Sequence, residues 1–174
     1  LGLINNLLPE DIDSYRNKVE FTVGRPYLAA NPDVEASEEV AEIIVGFNRG
    51  NLAKGISFVD KPDEIRVNSN ESLVACKRFE KIVQHSEMER TIGPQIQASG
   101  ESFFIEVKDN QIGSFVCSDN QRLRKLSEEL KKQLVQEMTQ PIGDFKVVSL
   151  SVIISAEVSG GYGEGDQVEL LYGG

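Results

Sequence analysis

The chain of 174 residues has no tryptophan, one histidine (His85), two cysteines and two methionines. With a single imidazole, and with Cys76 and Cys117 far apart and without metal-type spacing, it cannot supply the ligands of a structural zinc site. Two reduced, buried thiols are expected instead. Long hydrophobic runs are missing too: none approaches the ~18 apolar residues of a membrane span. The opening "LGLINNLLPEDI" lacks the basic flank and apolar length of an export signal. A cytoplasmic protein that does not enter a membrane is therefore expected. Basic residues are scarce, with 18 Lys and Arg against 28 Asp and Glu, a net charge of −10. Such a surface repels phosphate backbones, and no basic stripe interleaved with aromatics offsets it, so nucleic-acid binding is not expected.

What is present is 40% hydrophobic residues, enough for a real core. The second half is the more readable. "SFFIEVKD" (Ser102 to Asp109) alternates apolar and polar positions, the period of a half-buried strand. "DNQIG" carries turn residues and "SFVCS" returns, which predicts a hairpin over 102–118. Leu123, Leu126, Leu130, Leu134 and Met138 then recur at helical spacing, predicting an amphipathic helix over about 120–138. Ser118 or Asp119 is its expected cap, with Gln121 as capping-box partner, and "TQPIG" its stop. "FKVVSLSVIIS" and "QVELLY" read as two further strands. A hairpin, a helix crossing it and two more strands predict an α+β unit of the β-grasp type.

The first hundred residues are less regular. "VEFTVGRPYLAA" reads as one or two strands broken at Gly24 and Pro26. "SEEVAEIIVGFN" reads as a helix capped at Ser37 with Val40, Ile43, Ile44 and Phe47 on its apolar side. "GISFVDKPDEIRV" reads as a strand or hairpin and "ESLVACKRFEKIVQH" as a second helix. The loop "GPQIQASGE" marks a boundary. The expected organisation is an α+β domain over 1–97, with a diverged β-grasp as one reading, and a β-grasp domain over 98–174.

The ending "GEGDQVELLYGG" raises the functional question, since two glycines bury no side chain. Residues 101–174 resemble ubiquitin-like proteins: "FFIEVKD" is similar to their first strand and "LRKLSEELKKQL" to their main helix. Gly165, Asp166 and Val168, followed by Gly173 and Gly174, resemble the ending of the sulfur-carrier branch of that family. With a preceding domain, the whole is similar to tandem ubiquitin-like modifiers, including those of bacterial antiphage conjugation operons. Tyr172 and Leu171 depart from the basic residue that precedes the glycines in ubiquitin.

The resemblance implies a modifier that is not itself an enzyme and needs no cofactor. Gly174, with Gly173, would be activated as an acyl-adenylate and thioester and conjugated to target proteins. Leu170, Leu171 and Tyr172 would form the tail that partners read. Those partners would be an activating enzyme, a conjugating enzyme and a deconjugating protease. Leu171 to Gly174 are expected to project beyond the last sheet pairing, or to be ordered only by a partner.

Three other readings stand beside it. One is a sulfur carrier. Another is an interaction module that uses β-grasp surfaces without conjugation, since one scaffold hosts many functions. The third is a metal-dependent nuclease built on Asp63, Glu106 and Lys108, disfavoured because Glu106 and Lys108 share one strand face and Asp63 is far away in sequence. His85 has no neighbouring acid or nucleophile and reads as an ordinary helix residue. The "RLRKLSEELKK" cluster reads as a solvated helix face laced by pairs such as Glu128 with Lys132.

Overall fold

The computed structural model describes residues 16–26, 42–51, 56–62, 68–86, 98–118, 127–154 and 167–174. Strand β1 (Lys18–Gly24) shows how pattern becomes structure. Val19, Phe21 and Val23 are buried while Lys18 and Glu20 are exposed, the two-residue period of a sheet with one covered face. Strands β2 (Ile44–Asn51) and β3 (Ile56–Asp60) complete a meander with β1. Helix α1 (Asn70–Gln84) follows, and Ser69 caps it by accepting the Ser72 N–H at 3.1 Å.

The segment "SEEVAEIIVGFN" departs from the helix expected there. Its described part, 42–48, leads into and forms the start of β2, with Ile43 just before the strand and Ile44 and Val45 within it all buried; 37–41 lie outside the described residues. A run of adjacent β-branched residues suits a strand buried on both sides better than a helix with one apolar stripe. Gly46 makes the pairing feasible, because a Cβ there would overlap the Asp60 carbonyl.

Strand β4 (Ala98–Lys108) turns through Asp109 and Asn110, both at positive φ (50° and 60°), into β5 (Gln111–Ser118). Lys108 faces Gln111 across this two-residue turn, and Asp and Asn are the non-glycine residues that best tolerate that conformation. The hairpin read from the sequence is therefore observed. Helix α2 (Glu128–Met138) starts later than expected. Its cap is Ser127, which accepts the Leu130 N–H at 3.1 Å, rather than Ser118 or Asp119. Leu123 and Leu126 lie outside the described residues; Leu130, Leu134 and Met138 are buried as the spacing predicts. Strands β6 (Lys146–Ile154) and β7 (Gln167–Gly173) follow.

The seven strands form one mixed sheet in the order β3-β2-β1-β4-β5-β6-β7. Among the described strands only β5 and β6 run parallel, joined by the connection that contains α2, as a parallel pair requires. The α+β class is observed, with the hairpin, helix, strand, strand succession of the second half. Strand β7 occupies the outer edge of the described sheet. Across the expected boundary, β1 is hydrogen-bonded to β4, from Lys18 opposite Glu106 to Gly24 opposite Ala98. Both helices pack on the sheet and touch each other. Buried residues from both segments form one cluster, with Phe103 stacked between Phe79 (4.8 Å) and Phe21 (6.4 Å). Arg78 of α1 donates to the Gln140 and Pro141 carbonyls beyond α2, at 2.6 and 2.9 Å, a further tie between the segments.

Candidate functional site at the β7 edge

Strand β7 is exposed along nearly its whole length, although its sequence is rich in residues that normally seek a core. Val168, Leu170 and Tyr172 are 65%, 52% and 42% exposed, and with Val148 on β6 they are the exposed large hydrophobics of the described residues. The register with β6 runs from Ile154 opposite Gln167, through Ser151 opposite Leu170 and Leu150 opposite Tyr172, to Ser149 opposite Gly173. One extra residue, Leu171, forms a bulge. It is half-buried and packs on the core beneath α2. It thereby anchors a strand that otherwise contributes little to the interior.

The second anchor is electrostatic. Lys131 of α2 places Nζ 2.8 Å from Glu169 Oε1 on β7 and 3.0 Å from Glu128 Oε1 on its own helix. Its side chain is 14% exposed, so its stem is covered while its head is shared by two carboxylates. The hydrogen bond to Glu169, then that to Glu128, raises the Lys131 pKa above the ordinary lysine value. Since Glu169 reaches toward α2, strand alternation sets its neighbours Val168 and Leu170 on the opposite face.

The glycines differ from each other. Gly173 has φ +86°, and a Cβ on it would overlap the Val148 carbonyl. Its identity thus has a reason inside the fold. Gly174 is exposed, one residue past the last sheet pair, and a Cβ there would meet only a Leu170 methyl at 3.5 Å. The expected projection of Leu171 to Gly174 is corrected accordingly. Pairing continues through Gly173, Leu171 is packed, and of these four residues Gly174 lies past the last pair. Tyr172, Gly173 and Gly174 border an open groove of about 520 Å³ with Thr139, Pro141 and Lys146.

Of the residues named for a nuclease, Asp63 lies outside the described residues, while Glu106, which pairs with Lys18 at 3.2 Å, and Lys108 are exposed and border one open groove beside Asp109. No group of three or more His, Cys, Asp or Glu side chains among the described residues could hold a metal ion. His85 ends α1 with Nδ1 2.9 Å from the Lys81 carbonyl. Cys76 is buried, its thiol 3.4 Å from the Val45 carbonyl; Cys117 falls on β5. Glu128 pairs with Lys131, three residues on. The sequence reading missed the part of Lys131 and Glu169, because the only signal was one acid inside an apolar strand. No helix among the described residues is long and apolar enough to cross a membrane. Compared with models of known protein families the chain matches none, and no curated protein matches it.

Proposed function

We propose that the chain is a protein-interaction module that works through β7, receiving an extended segment of a partner protein as an added strand. The observation that supports this reading is the exposure of Val168, Leu170 and Tyr172 along the strand at the sheet edge. An edge strand offers a row of backbone donors and acceptors, and natural edges are usually protected by lysine, proline or unneutralised charge. Strand β7 has no lysine or proline, and its one acid, Glu169, is taken up by Lys131. Backbone pairing would supply affinity and the exposed side chains selectivity. The net charge of −10 favours a partner segment with basic flanks. The test is a photoreactive side chain at Val168, irradiated in cells that express the chain. Discrete protein adducts should form there and not from the same group at Glu137 on the exposed side of α2. Equal labelling at both positions would contradict the reading.

A second reading, conjugation as a ubiquitin-like modifier, is favoured by the exposure of Gly174 just past the last pair. In it, the Gly174 carbonyl is activated by a partner enzyme and passed to a lysine amine of a target, with Leu170, Leu171 and Tyr172 as the segment read by the partner. An N-terminally tagged chain recovered from cells should then carry Gly174 joined to lysine side chains. Recovery of the chain in unlinked form only would remove this reading and leave the first intact.

A further inference from the structure

We propose that β7 is a releasable strand, leaving β6 as a unit while the other six strands stay paired, and that Lys131 is its latch. Two observations carry this. First, β7 contributes one half-buried side chain, Leu171, to the core cluster, whereas β6 contributes Val147, Leu150 and Val152. Releasing β7 therefore exposes little new apolar surface, and the core that holds β1 to β6 persists.

Second, among the described strands β7 pairs on one side only, with β6. Its ties to other described residues include the packing of Leu171 and the Glu169 contact with Lys131, 2.8 Å long and at the surface.

Release would do two things. It would free Leu171 to Gly174 as an extended segment, which the conjugation reading requires and the closed strand denies; only this use of the motion rests on that reading. It would also open the edge of β6 to a partner's strand. The positioning role of Lys131 is to set how often this happens.

The experiment is hydrogen exchange of the full chain, read by peptide mass or NMR, without any partner. The amides of β7 should exchange faster than those of β4 and β5, with little dependence on low denaturant, the mark of local opening. Lys131→Met, which keeps the stem and removes the charge, should speed β7 exchange several-fold and leave β1, β4 and β5 unchanged. Glu169→Gln should act in the same direction from the other side of the contact. The proposal is overturned if β7 exchanges at the rate of β4 and β5 in every variant, or if both substitutions speed exchange throughout the sheet. The two failures are distinguishable: a rigid β7 in the chain alone refutes release, whereas absence of Gly174 linkage leaves release standing.

Discussion

Gly173 passes the backbone carbonyl of Val148 so closely that a Cβ built on it would overlap the oxygen, and it does so at φ +86°. Its neighbour Gly174, at φ +142°, has room for a side chain and lies past the last sheet pair, where its backbone can turn without breaking a pairing. Gly173→Ala should therefore destabilise the β7 edge by about 1–3 kcal/mol, the cost of a strained backbone conformation. Gly174→Ala should leave the unfolding midpoint unchanged. Denaturant titration of the two variants checks this, and equal effects would refute the distinction.

Leu130 is 2% exposed on the face of α2 that meets the sheet. Leu130→Ala should cost about 2–5 kcal/mol through the lost transfer energy and the cavity left behind. Chemical denaturation gives the value; a loss well under ~1 kcal/mol would mean that the site collapses around the smaller side chain.

Ser127 accepts the Leu130 N–H and starts α2. Ser127→Ala should cost about 0.5–2 kcal/mol, and Ser127→Asp should restore most of it because aspartate caps equally well and favours the helix N-terminus. Failure of Asp to restore stability would place the start of the helix elsewhere.

Lys131 has its pKa raised by Glu169 and Glu128. A lysine whose folded value exceeds its unfolded one stabilises the fold fully below the unfolded value, about 10.4, and loses that contribution as pH rises through the folded value. The difference in unfolding midpoint between the natural chain and Lys131→Met should be level from neutral pH to about 10 and shrink above it. A difference that vanishes already at neutral pH would contradict the two-carboxylate contact.

The sequence was legible where a local pattern had one physical meaning. The Asp109–Asn110 turn, the alternation of β4 and the Leu130, Leu134, Met138 stripe all appear as read. It was misleading at Ile43 to Phe47, where β-branched residues at near-helical spacing form a strand that Gly46 allows to approach β3. It was silent on Lys131, since the contact with Glu169 joins residues 38 positions apart. Gly173 looked like part of a free tail because nothing local announces that the Val148 carbonyl lies against it. Pairing across sequence, unlike periodicity within it, leaves no local trace.

That β7 is the working surface is tested most directly by hydrogen exchange on the chain with and without the partner trapped from Val168. Slowed exchange confined to β7 and the adjoining β6 is the predicted result, and Leu170→Asp, which sets a charge on the exposed strand, should abolish it. Protection centred on α1 or β3, with β7 exchanging as in the free chain, would contradict the account.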